Sequence, residues 1–446
     1  MEWLLARFAS APAGQVAFVH QGCSTSYAEL SRAIDHCAQA LRERGVRAGD
    51  TVLVVADYSP MVFAMILALA SLACTVVPMT RSSVVEVDDA LAISGQDHCV
   101  RFHADGDQWD LETRHVPCPN ALMGQFRAGG RAGLVLFSSG STGTPKGMLH
   151  DFGRVMDKFR DMRPPVVAIP FLMLDHFGGI NTLLAITASL GTVVTTANRA
   201  IATICDAIQR YRVTLLPTTP SFLTLLAASD VSQKYDLTSL TRITYGTETM
   251  PQATLDRIRA RFPTVELQQT YGLSEVGVLR SQSRPDGSLW VRIGGAGFET
   301  QVRDDILWIR SEYRMVGYLN APSGFDADGW FNTQDRVEVD GEYMRILGRI
   351  TDLINVGGQK VYPAEVEDVI LALPNVTDVV VTGEPHALLG HIVVAKVALG
   401  VPEAADALRL RIRQGCQAKL SAYKVPAKVL LLEHDAYSAR FKKVRR

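Results

Sequence analysis

The sequence predicts an α/β protein in which a large N-terminal domain of βα-layered sheets precedes a small α+β C-terminal domain, and three observations carry that expectation. Short apolar runs alternate with amphipathic stretches through the first half of the chain, as crossover units around covered, largely parallel sheets require. At 446 residues the chain exceeds what one hydrophobic core usually serves. A turn-rich strand region, 330–347, ends at Gly348-Arg349-Ile350-Thr351-Asp352, and the roughly one hundred residues beyond it suffice for a second domain. The expected division is 1–348 and 353–446, with a hinge near 349–352.

Taken in order, 27–42 is an amphipathic helix and Val52-Leu53-Val54-Val55 a buried strand. The segment 61–77 carries no charge and is bounded by Pro60 and Pro78. It falls short of the roughly 20 apolar residues that a membrane span needs. Helix formers fill 61–70, whereas Thr75-Val76-Val77 favours strand, so a buried helix feeding a buried strand accounts for both halves. Further strands are expected at Leu134-Val135-Leu136-Phe137, Val166-Val167-Ala168-Ile169, Thr192-Val193-Val194-Thr195 and Thr214-Leu215-Leu216, with a covering helix over 201–211. The tail offers helices at 364–373 and 403–420, strands at 378–382 and 391–397, and a basic end. No fixed-period repeat or long flexible linker interrupts the pattern.

Composition excludes several function classes. Lys plus Arg total 45 against 46 for Asp plus Glu, so no global field gathers nucleic acid. Seven scattered cysteines lack a Cys-x-x-Cys pair and ten histidines lack a His-x-x-x-His pair, which argues against a zinc site and for reduced core thiols. Met1-Glu2-Trp3-Leu4-Leu5-Ala6-Arg7 is a poor secretory signal, and a cytoplasmic protein with no membrane partner is expected.

The strongest local signal is Ser138-Ser139-Gly140-Ser141-Thr142-Gly143-Thr144-Pro145-Lys146-Gly147, directly after an apolar strand. Closely spaced glycines let backbone N–H groups turn toward an anion, and hydroxyls add donors, which suits a polyphosphate. The nucleotide-hydrolase loop, Gly-x-x-x-x-Gly-Lys-Ser/Thr, needs its second Gly where Pro145 stands, so that motif fails. By composition alone the segment reads equally as a Gly/Ser turn.

The segment resembles the phosphate loop of the adenylate-forming superfamily, which includes acyl-CoA synthetases, nonribosomal peptide synthetase adenylation domains and beetle luciferases. The resemblance covers nearly the whole chain, with further motifs in the family's order. Tyr271-Gly272-Leu273-Ser274-Glu275 matches the aromatic-Gly-x-Ser/Thr-Glu segment, implying Tyr271 against adenine, Ser274 on phosphate and Glu275 on Mg²⁺. Thr333-Gln334-Asp335 resembles Thr-Gly-Asp, implying that Asp335 accepts from both ribose hydroxyls, with Gln334 a departure. Arg349 matches the junction Arg that also reaches the ribose, and Gly246-Thr247-Glu248, after Tyr245, matches the adenine-facing loop. Taken alone, Glu275 is a surface acid.

The resemblance also implies a mobile C-terminal domain. Gly357-Gly358 lies in a segment similar to the family's post-hinge loop beside the thiol tunnel, where a side chain at Gly358 would fill the path; alone, it is a turn. Thr351 departs from the family hinge residue. Ser438-Ala439-Arg440-Phe441-Lys442 aligns with Thr-x-x-Gly-Lys, with Phe441 in place of Gly, and makes Lys442 the lysine shared by acid and α-phosphate; otherwise the end is a solvated basic tail. Asp175-His176 falls where acyl- and aryl-activating relatives place a His near the substrate carboxylate and amino-acid-activating ones an Asp.

The implied activity is ATP- and Mg²⁺-dependent conversion of an organic acid into its acyl-adenylate. Lys442, His176, Thr142 and Glu275 are the catalytic candidates, and transfer follows to coenzyme A or to the phosphopantetheine of a carrier protein. Adenylation of an amino acid, activation of another oxyanion with delivery to an amine, and a nucleotide-binding regulator without turnover are the rivals, the last prompted by Gln334, Thr351 and Phe441.

Overall fold

The computed structural model describes residues 1–83, 87–104, 107–138 and 145–432. It is a mixed α/β structure with a large N-terminal part and a smaller C-terminal one. One seven-stranded sheet has the order Gly317–Tyr318, Lys146–Asp151, Gly133–Ser138, Thr75–Met79, Thr51–Val55, Gln96–Phe102 and Trp109–Val116. Its four inner strands are parallel and its outer pairs antiparallel. Thr51–Val55 and Thr75–Met79 are buried at every position, which is why both read as unbroken apolar runs rather than alternating ones.

The charge-free segment becomes the helix Pro60–Ser71 followed by the strand Thr75–Met79. Ser59 caps the helix by accepting from the Val62 N–H, and Pro60 occupies its first turn, where a missing N–H costs nothing. Residues 62–70 are all buried, and a helix apolar all round belongs inside a core. Among the described residues no helix is long and apolar enough to cross a membrane.

The second seven-stranded sheet runs Glu266–Gln269, Arg242–Tyr245, Leu215–Thr218, Val167–Ala168, Thr192–Val194, Val16–His20 and Cys23–Ser26, parallel except for its closing hairpin. The apolar run 166–169 yields just two strand residues, because Pro164, Pro165 and Pro170 flank it and cannot donate to a ladder. Leu215–Thr218 continues through Pro217. The short neighbouring strand pairs with it only at Leu215, so no ladder partner faces Pro217 on that side.

A six-stranded antiparallel sheet follows, and the region 330–347 forms its hairpin Phe331–Asp340 with Tyr343–Arg349. After the single turn Ile350–Asp352, the strands Ile354–Val356, Gln359–Val361, Val376–His386, Gly390–Leu399 and Lys428–Leu431 make a separate sheet. The helices Pro363–Leu371 and Ala405–Gln417 pack on it around Val366, Ile370, Val379, Val397, Leu408 and Ile412. This C-terminal unit seats on the helix Gln252–Arg261: the Ala253 N–H donates to Asp368 at 2.9 Å, and Arg257 donates to the carbonyls of Leu371 and Val376. All seven cysteines are free.

Candidate active site

The loops that follow the parallel strands Leu215–Thr218, Arg242–Tyr245 and Glu266–Gln269 converge at one end of the second sheet, where open α/β sheets bind their ligands. A cavity of about 590 Å³ opens there, and Ser138, His176, Gly246, Tyr271, Glu275 and Arg349 all line it. Two periodicities build its walls. On the strands, Leu215 and Pro217 and then Arg242, Thr244 and Gly246 fall every second residue, one face of a sheet. On the helix Phe177–Thr187, Gly178, Asn181, Thr182, Ala185 and Ile186 fall every third or fourth, one face of a helix. The result is a slot between a helix and a sheet.

At one end, Tyr271 donates its hydroxyl proton to Asp335, and Arg349 Nε donates to the other carboxylate oxygen at 3.3 Å. Asp335 and Arg349 are cross-strand partners in the hairpin, so sheet register holds the pair. Burial pushes the Asp335 carboxyl above the usual range, against the Arg349 charge and the Tyr271 hydrogen bond. Burial and the adjacent carboxylate push the Tyr271 phenol well above its ordinary value, which keeps it a donor.

Gln334 adopts φ +60°, so the left-handed turn that a Gly would supply is kept with a non-glycine residue in it. The turn is held by Asn332, whose side chain accepts from the Gln334 N–H, and by Thr333, whose hydroxyl accepts from the Asp335 N–H and donates to the Leu307 carbonyl. These bonds aim Asp335 without any contribution from the Gln334 side chain.

Glu275 accepts from the Tyr318 hydroxyl at 2.7 Å, and Lys146 Nζ lies 5.4 Å from the centroid of the same ring. Tyr318 reaches this position because Gly317–Tyr318 pairs with Lys146–Asp151. No local sequence pattern singles it out. Gly246 and Gly272 are close-approach glycines: a Cβ on Gly246 would meet Thr270 Oγ1 at 2.4 Å, and one on Gly272 would meet the Gly277 carbonyl at 2.7 Å. Thr247 is left-handed and exposed, and Glu248 takes the Ser221 hydroxyl and N–H at the start of the helix Pro220–Ala228. Ser274 is half-buried in the cavity wall.

His176 caps the helix Phe177–Thr187, its Nδ1 accepting the Gly178 N–H at 3.0 Å. A neutral ring therefore carries its proton on Nε2. Asp175, the adjacent residue, is buried and does not line this cavity. Its charge acts instead on Tyr58 and Arg199, which line a second cavity of about 950 Å³. Gly358 is exposed at φ +86° with open space around it and lines neither cavity. Ser139, Gly140, Ser141, Thr142, Gly143, Thr144 and Lys442 lie outside the described residues.

Comparison with known proteins agrees with this architecture. The profile of the AMP-binding enzyme family matches residues 5–92 and 128–305, and that of the AMP-binding enzyme C-terminal domain matches 365–439. An indoleacetate–CoA ligase of Aromatoleum aromaticum is 27% identical over 488 residues, covering 97% of this chain and 94% of the ligase. Among solved structures, the anthranilate CoA ligase AuaEII in complex with anthranoyl-AMP superposes with a TM-score of 0.83 at 18% identity, over 99% of this chain and 94% of that one. The amide bond synthetase McbA from Marinactinospora thermotolerans superposes with a TM-score of 0.78 at 22% identity, over 99% and 97%.

Proposed function

The chain belongs to the AMP-binding enzyme family, and from that premise we propose that it is an AMP-forming acid–thiol ligase. It converts an acyl or aryl acid and ATP into an acyl-adenylate and pyrophosphate, then passes the acyl group to coenzyme A with release of AMP. The observation that supports this best is the single cavity onto which His176, Tyr271, Glu275 and Arg349 all open, because the acid and the nucleotide must meet in one space. Relatives named as coenzyme A ligases favour that acceptor over a carrier protein or an amine.

In this reading Asp335 holds the ribose. Each carboxylate oxygen has two lone pairs, so the bonds from Tyr271 and Arg349 leave capacity for both hydroxyls. His176 donates from Nε2 to the substrate carboxylate and turns its free oxygen toward the α-phosphorus. Ser138, Ser274 and the 139–144 loop contact phosphate, and Lys442 bridges acid and α-phosphate. Glu275 suits Mg²⁺: among the described residues no group of three acidic, His or Cys side chains forms a closed metal site, and Mg²⁺ commonly takes one or two carboxylates plus phosphate oxygens. When bound, the metal neutralises charge on the departing pyrophosphate. Residues 349–352 act as the hinge about which the C-terminal domain turns to bring Gly358 beside the incoming thiol.

The test is acid-dependent pyrophosphate release over a panel of aryl and alkyl acids, followed by product analysis with coenzyme A, a phosphopantetheinylated carrier and a simple amine. Release with at least one acid and thioester formation with coenzyme A are expected. No release with any acid would sink the adenylation reading, and amide formation without thioester would replace the acceptor.

A further inference from the structure

The slot does not end at its apolar walls. From Gly246 to Arg242 it follows the strand for four residues, roughly 13 Å at the rise of an extended chain. From His176 to Ile186 it follows the helix for a comparable length, roughly 15 Å at 1.5 Å per residue. The end farthest from the nucleotide opens to solvent beside Arg163, Pro164, Thr241 and Arg242, which are exposed.

That mouth is basic. Among the described residues the Arg163 guanidinium makes no hydrogen bond or close ion pair, the Asp161 carboxylate acting on it only at longer range, while the Arg163 backbone N–H donates to Ser189 Oγ. Arg242 is paired with Glu266 at 2.8 Å, and Arg280, close enough to oppose the Arg163 charge, meets the exposed Asp161 at 3.6 Å. Lys158 lies behind the slot wall with its ammonium on the Asn181 side-chain oxygen and the Val278 carbonyl, and both of those residues line the slot. A buried ammonium satisfied only by neutral acceptors is costly. Burial, then Arg163 and Arg280, bring the Lys158 pKa down to about 7. Among the described residues three guanidinium groups, those of Arg163, Arg242 and Arg280, therefore surround this end, with the Glu266 and Asp161 carboxylates to meet them. An apolar tail ending here would place methylenes against guanidinium groups and water, whereas a negative group would meet an unpaired fork donor.

We propose that the acid accepted by this enzyme carries a second anionic group at the end remote from the reacting carboxyl, held at the far mouth of the slot by Arg163 within the basic field of Arg242 and Arg280. This rests on the adenylation reading above and names its substrate class. One carboxyl is adenylated near His176, and the distal anion passes through the reaction unchanged. The apolar walls between the two ends, Leu215, Ile186 and Val278 among them, call for a hydrocarbon or aromatic spacer.

The experiment measures pyrophosphate release by the whole enzyme with α,ω-dicarboxylic acids of graded length. Each is compared with the acid of equal length bearing a terminal methyl and with the one bearing a terminal ammonium. At the best-fitting length the diacid is expected to exceed the methyl-ended acid in kcat/KM by about tenfold, the lower end for a charge-assisted contact because Arg163 is partly solvated. Arg163→Gln should bring that ratio close to one, and Arg163→Glu should shift preference toward the ammonium-ended acid. A melting curve for each variant confirms folding. Equal use of methyl-ended and carboxyl-ended acids at every length, or an unchanged ratio in folded Arg163→Gln, overturns this inference while leaving adenylation standing. Absence of release with every acid overturns the adenylation reading and this inference together.

Discussion

Replacing Gln334 with Gly is expected to stabilise the protein, although it removes a side chain beside the candidate nucleotide site. Gln334 sits at φ +60°, a conformation that costs a non-glycine residue about 1–2 kcal/mol. Its side chain is exposed, and the residue is tied down by its backbone N–H, which donates to the Asn332 side chain and which Gly retains. Against the relieved strain stands the greater unfolded-state freedom of Gly, about 0.5–1 kcal/mol. The net gain is about 0.5–1 kcal/mol, or roughly 1–3 °C in melting temperature for a domain of this size. Gln334→Ala keeps the strain and loses only the side chain, so it should fall within about 0.5 kcal/mol of the parent. Calorimetric melting of the three proteins on matched preparations decides the matter through the transition of the N-terminal part, because the C-terminal unit has its own core and the chain need not melt in one step. If Gln334→Gly melts at or below Gln334→Ala, left-handed strain is not what this position carries.

Three further outcomes follow from named groups. Glu275→Gln should raise the Mg²⁺ concentration needed for half-maximal pyrophosphate release, since a hard cation prefers a charged oxygen; an unchanged titration would put the metal elsewhere. Gly358→Leu should leave acid-dependent pyrophosphate exchange nearly intact and suppress thioester formation. The open space around it tolerates the side chain, although its φ of +86° will cost about 1 kcal/mol in melting, and thioester at the parent rate in a folded variant would refute the tunnel role. Lys158 has a folded-state pKa near 7 against 10.5 for an unfolded lysine, so between those values the unfolded chain binds the extra proton and stability rises with pH. The melting temperature of the parent minus that of Lys158→Met should therefore increase from pH 6 to pH 9, and a flat difference would show that Lys158 keeps its proton in the fold.

Much of the architecture was legible in the sequence, because secondary structure leaves periodic traces. The buried strand at 52–55, the helix-then-strand in 61–77 and the helix over 201–211 all follow from apolar spacing within a few residues of chain. The candidate chemistry-bearing segments were equally visible, since closely spaced glycines and Tyr271 to Glu275 are local patterns. Where a local rule met a competing one, the structure shifted: prolines on both sides cut 166–169 to two strand residues, and a left-handed Gln334 occupies a turn where the Thr-Gly-Asp pattern that the segment resembles has glycine.

What the sequence by itself determined is the set of elements and the residue types available for chemistry; what only the tertiary structure decided is which of those residues share a space. Asp175 and His176 are neighbours in the chain, yet helix capping turns one ring toward the cavity while the other residue is buried away from it. Asp335 meets Arg349 through hairpin register and Tyr271 across a separation of 64 residues, and Tyr318 reaches Glu275 through a strand pairing with 146–151. Arg163 and Arg242 come to one mouth only because a strand face and a helix face close on each other. The physical reason is that backbone propensity and hydrophobic period act over a few residues, whereas the convergence of side chains depends on sheet register and helix packing between segments far apart in the chain.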